Sequence, residues 1–139
     1  PAASPEDVAL ASERVHWLRA AVTALPDRLR AVIVGLYLDD RSIADLAGEL
    51  GVTESRISQL RTEALVLLRD GMNASLDPDL VPVASRPGGV AERRRRAYFA
   101  AVAARAALPA ASHGLVDEVP RPRGTGEAVA DARGGLASA

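Results

Sequence analysis

The chain contains no cysteine and no lysine. Without Cys there is no disulfide framework and no thiolate metal site. Without Lys there is no Schiff-base lysine, and no phosphate-binding loop of the kind that ends in Gly-Lys-Ser/Thr. Aromatics are scarce: Trp17, Tyr37, Tyr98 and Phe99 are the four in 139 residues. The apolar fraction of 48% overstates the core-forming content, because 28 residues are Ala. That suffices for a small helical domain and not for a large enzyme core. No run reaches the ~18 apolar residues of a membrane span, and no secretory signal opens the chain. The expectation is a cytoplasmic protein without membrane association. Two histidines, His16 and His113, are too few to suggest a metal site. The acids form no recognisable catalytic pair, and Gly124-Thr125-Gly126 lacks the strand and helix that a nucleotide loop requires. Neither enzyme activity nor a cofactor is expected.

What is present is unevenly charged. The net charge is −1, with every one of the 17 basic residues an Arg. Residues 25–71 hold six Arg against eight acids, whereas residues 89–108 hold five Arg against one. Four of those five are consecutive, Arg93 to Arg96. Consecutive helical residues point all ways round, so at least one of these Arg should lay its stem over the protein body. The sharper alternative is a patch for phosphate or an acidic partner.

The pattern predicts an all-α chain: a four-helix domain over 1–71, a linker over 72–88, an Arg/Ala-rich helix over 89–108 and a disordered tail over 109–139. Ser4-Pro5-Glu6-Asp7 is a helix start, with a capping hydroxyl, a proline at the first helical position and two acids facing the dipole. Val8, Ala11, Val15, Leu18 and Val22 then recur at helical spacing. Pro26 separates this helix from a second over 26–38. Asp39-Asp40-Arg41 is a polar turn. Ser42 with Asp45 has the spacing of a capping box and opens a third helix to Leu50. Gly51 suits a left-handed stop, and Thr53 caps a fourth helix running through Arg69 to Gly71. Pro78, Pro82 and Pro87 mark the linker. Beyond residue 108, Pro, Gly, Ala and charge leave too few large apolar residues to offset ordering entropy. Val90, Tyr98 and Val102 share one stripe of the 89–108 helix, which with Phe99 should pack on something.

The stretch SIADLAGELGVTESRISQLR, residues 42–61, satisfies the requirements of a helix-turn-helix together. Ala47 is small where two helices must cross, and Gly51 makes the turn. Leu46, Leu50, Val52, Ile57 and Leu60 are apolar where the pair must lock onto the domain. On the second helix Ile57, Leu60, Ala64, Leu67 and Leu68 share the inward face. Ser55, Ser58, Gln59 and Thr62 face outward, flanked by Arg56 and Arg61. In this motif the outward N-terminal end enters the major groove. There Gln can pair with adenine, and Arg with guanine or phosphate. Ser42 and Thr53 stand at helix starts, where hydroxyls and backbone N–H groups can hold phosphates.

The run LPDRLRAVIVGLYLDDRSIADLAGELGVTESRISQLRTEALVLLR, residues 25–69, resembles the C-terminal domain (region 4) of bacterial RNA polymerase sigma factors. GVTESRISQL resembles the flagellar and sporulation branch. The resemblance implies recognition of the promoter −35 element by a domain docked on the flap of the polymerase β subunit. By that resemblance Arg56, Ser58 and Gln59 fall on DNA-facing positions, Ser55 and Arg61 are their neighbours in the contact, and Ser42 falls on a phosphate-contacting position. Thr53 joins the set as the cap of the second helix. A complete sigma factor has promoter-melting domains upstream, so the expectation is a C-terminal fragment or a stand-alone relative. Two other functions fit the same residues: a free helix-turn-helix regulator, or an interaction module bound by an anti-sigma factor. The acidic balance of 25–71 argues against a self-sufficient DNA binder, which gains affinity from a basic surface.

Overall fold

The computed structural model describes residues 3–109, and these residues are helical with no strand among them. The expected disordered tail, 109–139, lies outside the described residues apart from Pro109. Helix α1 spans Pro5–Ala24; the Ser4 hydroxyl accepts from the Asp7 N–H at 3.2 Å, and Pro5 occupies the first turn. Helix α2 spans Asp27–Ile33. Its last turn, Val34–Leu38, widens to i→i+5 bonding, and the Asp39 N–H reaches the Val34 carbonyl at 3.0 Å. Helices α3 (Ile43–Leu50) and α4 (Glu54–Leu76) follow, and α5 covers Val90–Ala106.

The core lies between α1, α2, α3 and α4, with α5 closing one side. Ala20, Ala21, Val32, Ile57, Ala64 and Val102 are completely buried, and Leu25, Leu29, Leu46 and Leu60 nearly so. Two close approaches fix the packing. A Cβ at Gly35 would come within 2.7 Å of Leu46, so α2 and α3 meet there only because the side chain is missing. Arg30 joins α1 to α2: it donates to the Thr23 carbonyl at 2.9 Å and pairs with Asp27 at 2.7 Å.

The structure departs from the sequence expectation at three places. Helix α4 does not stop at Gly71; it continues to Leu76, and Pro78–Leu80 forms a short 3-10 turn folded back against it, within what reads as linker. Gly71 is an interior residue whose bare Cα admits the Tyr98 ring, which an added Cβ would meet at 2.6 Å. The apolar repeat of α1 is not a core stripe along its length. Val8, Val15 and Leu18 are exposed; full burial begins at Ala20, and before it His16 and Trp17 are half-buried, His16 against the end of α5. On α5, Tyr98 and Val102 are buried as their spacing suggests, but Val90 is exposed.

Helix α5 packs on α1 and α4. The Tyr98 hydroxyl donates to the Ala21 carbonyl at 2.8 Å, and His16 Nε2 lies 2.7 Å from the Ala106 carbonyl. Going up α5 from 98 to 106 means going down α1 from 21 to 16, so the two helices are antiparallel. Burial raises the ionisation of the Tyr98 phenol well above its ordinary range. Of the four consecutive Arg, Arg95 lies over the body: it stands 5.3 Å above the Phe99 ring, donates to the Pro82 carbonyl at 2.8 Å and approaches the buried Asp70 carboxylate at 3.8 Å.

Candidate nucleic-acid interface

Both ends of α3 are fixed locally. The Ser42 hydroxyl accepts from the Asp45 N–H at 3.0 Å, and the Asp45 carboxylate accepts in return from the Ser42 N–H at 3.4 Å, a reciprocal capping box. At the other end Gly51 adopts φ 66°, the left-handed conformation that residues with a Cβ avoid, and the Val52 N–H returns to the Ala47 carbonyl at 3.0 Å. An Arg41–Glu49 ion pair also spans α3. Three residues, Gly51 to Thr53, then separate α3 from α4. The Thr53 hydroxyl caps α4 by accepting from the Arg56 N–H at 3.1 Å.

Helix α4 is sorted by its period of 3.6 residues. Ile57, Leu60, Ala64 and Leu68 are buried and Leu67 is half-buried, which locks the helix in one rotation about its axis. That rotation turns Ser55, Arg56 and Gln59 outward into solvent, with Ser58 and Arg61 half-buried at the margins. All seven residues expected at the interface, Ser42, Thr53, Ser55, Arg56, Ser58, Gln59 and Arg61, are therefore at least partly accessible. Ser42 and Thr53 stand at the N-termini of α3 and α4; the other five lie within the first eight residues of α4. Thr62 is also exposed, one turn beyond Ser58, whose carbonyl accepts from its hydroxyl at 3.1 Å. Its exposure agrees with the outward face that the spacing gives it.

The polar face is weakly preoccupied. The Arg56 guanidinium donates to Gln59 Oε1 at 3.4 Å, a long bond in full solvent exposure. Such a contact contributes little and can be exchanged for a base or phosphate. It also holds the Gln59 side chain beside Arg56, leaving the amide NH₂ donors directed elsewhere. Ser42 and Thr53 use an oxygen lone pair for their caps, so each hydroxyl hydrogen remains able to donate. The N-terminus of α4 favours an anion through its unpaired N–H groups, tempered by Glu54 in its first turn. The arrangement suits shallow polar contact with a grooved, anionic surface. It offers no nucleophile–base pair.

Residues 21–70, rather more than a third of the chain, match the family model described as Sigma-70, region 4. The match supports a sigma-70 region 4 domain over the segment that contains α2, α3 and the first two-thirds of α4. It associates that segment with DNA binding in transcription initiation. No curated protein and no solved structure matches the chain.

Proposed function

We propose that this chain binds DNA sequence-specifically in transcription initiation, reading the promoter −35 element through α4 while held on RNA polymerase. The observation that carries the reading is the rotation of α4. Its buried side is filled by Ile57, Leu60, Ala64 and Leu68, so that Arg56 and Gln59 project from the N-terminal turns together. A recognition helix presents its side chains in this way to the edges of bases. Gln59 is the base reader, using the amide's paired donor and acceptor on adenine. Arg56 contacts phosphate or guanine beside it, and Ser55, Ser58 and Arg61 flank the contact. Ser42 and Thr53 hold backbone phosphates at the two helix starts. The docking partner is the polymerase β-flap, with an anti-sigma factor as a competitor for the same domain. The stretch GVTESRISQL supports placing the chain in the flagellar and sporulation branch.

A base-substitution scan tests the reading. Each base pair of a matched upstream element is replaced in turn, and binding is measured for the parent chain and for Gln59→Ala, each held on polymerase core. The expected result is that the variant loses discrimination at one or two adjacent base pairs and keeps the rest. Unchanged discrimination at every position would remove Gln59, and with it this orientation of α4, from the account.

A further inference from the structure

We infer that the exposed arginines of α5, Arg93, Arg94 and Arg96, form a second DNA-contacting surface that grips the phosphate backbone beside the base pairs read by α4. The inference rests on the reading of α4 as the groove-reading helix. Its basis is a separation of charge within one rigid body. Residues 25–71, which hold the helix-turn-helix, carry six Arg against eight acids, so they gain little from releasing counterions. Residues 89–108 carry five Arg against one acid.

This cationic helix is fastened to the recognition helix itself. Tyr98 fills the space over Gly71, and Arg95 sits against the buried Asp70 and the Phe99 ring. Arg95 is thus used to dock α5, and its three neighbours are left at the surface. Arg93 donates only to the Gly88 carbonyl, and Arg96, 76% exposed, pairs with Glu92 at 3.0 Å. Arg94 has no partner among the described residues. Arg93 and Arg96 are three apart and so lie side by side on the helix surface. All three stand in the first two turns of α5, where the positive end of the helix dipole adds to their field rather than offsetting it. Such a cluster attracts anions, and the anion nearest to hand is the one that α4 is proposed to bind.

The spacing fits a flanking contact. Gln59 and Asp70 lie on one straight helix, about 16 Å apart along its axis. Eleven residues are about 20° past three full turns, so Asp70, where α5 is fastened, lies on the same side of α4 as Gln59 and beyond its base contacts. The partner is accordingly the DNA backbone, without base preference. An acidic protein segment is the competing occupant.

The test uses the full chain and a triple variant, Arg93→Gln, Arg94→Gln and Arg96→Gln, with unchanged thermal stability as the folding control. Fluorescein-labelled duplexes carrying a matched or a scrambled upstream element are titrated between about 50 and 200 mM salt, and poly-L-glutamate is titrated in parallel. Three lost phosphate contacts should flatten the dependence of log K on log salt by about 2.7, so the parent loses about fortyfold more affinity than the variant across that range. The matched-to-scrambled ratio should stay the same. An unchanged salt slope, with the ratio intact, overturns the patch and leaves the reading of α4 standing. A flattened slope in a chain that does not distinguish the two duplexes even when held on polymerase core upholds the patch and removes the reading. Loss of poly-L-glutamate binding with duplex binding untouched overturns the DNA assignment in favour of an acidic protein partner.

Discussion

At the scale of single residues, the side chains proposed to read DNA are distinct from those that hold the helix in place. Arg56 and Gln59 touch each other and little else in the protein, so replacing them should leave stability within about 0.5 kcal/mol. Gln59→Ala should cost about 1–3 kcal/mol of discrimination at the base it contacts. Arg56→Ala should weaken matched and scrambled duplexes more evenly if its contact is phosphate. Competition titration with the two duplexes, in the presence of polymerase core, distinguishes these outcomes. Gly71→Ala should act in the opposite way. Alanine favours the helix by about 1 kcal/mol, but its Cβ would stand 2.6 Å from a buried ring, and overpacking of that kind costs about 1–3 kcal/mol. The clash should win, lowering the melting temperature while contacts at Gln59 stay intact. Tyr98 gives the chain an alkaline limit. With neither Lys nor Cys present, two tyrosines are the side chains that ionise between about pH 9 and 12. Burial raises the phenol of Tyr98 in the folded state, so above about pH 10 the unfolded chain gives up a proton that the folded chain keeps. Stability is therefore complete below that pH and falls above it, at about 1.4 kcal/mol per pH unit. Chemical denaturation of the parent and Tyr98→Phe, with phenolate absorbance followed, checks this. The parent should show the fall and the variant should not, although Tyr98→Phe should also cost about 1–3 kcal/mol at neutral pH by stranding the Ala21 carbonyl.

At the scale of elements, the parts legible in the sequence were those specified by local chemistry. Ser4, Ser42 and Thr53 cap the helices that their positions suggest, and Gly51 is the left-handed stop. The inward face of α4 follows from apolar spacing alone. These signals act within one or two turns, so reading them needs no knowledge of the neighbours. The misread features depend on contacts distant in sequence. Gly71 has the composition of a helix end and is a helix interior because Tyr98, 27 residues on, requires the space. Val8, Val15 and Leu18 have core periodicity and are exposed because α5 meets the middle of α1 on another side, at His16. Which Arg of the four would be covered could not be told from spacing, since the answer depends on Asp70 and Pro82. The same distinction sets expectations for each element. Ser42→Ala should cost about 0.5–2 kcal/mol through loss of the capping box, a local change seen as faster amide exchange at the start of α3. Removing α5 by truncation after residue 88 should act on the whole domain. It would uncover Ala20 and Ala21 and lose the burial of Tyr98 and Val102, each worth about 1.5–3 kcal/mol. A melting temperature unchanged by truncation would mean that α5 contributes nothing to the fold.

At the scale of the whole molecule, one recognition helix on an acidic domain cannot hold a promoter tightly. Each correct base pair contributes about 1–3 kcal/mol, and a single helix reads few of them. The proposed contacts of the α5 arginines would add affinity that ignores sequence. What remains is for a tether to convert weak capture into an intramolecular event at high effective concentration. RNA polymerase is the tether that the region 4 match suggests. A chain built in this way should be a poor DNA binder by itself and a selective one when attached. The most direct measurement is the affinity for duplexes with matched and scrambled upstream elements near physiological salt, with and without polymerase core. The account expects weak, nearly indifferent binding by the isolated chain, and a clear preference for the matched duplex once core is present, lost again in Gln59→Ala. Tight, sequence-specific binding by the isolated chain would contradict it and would make this protein a free-standing regulator.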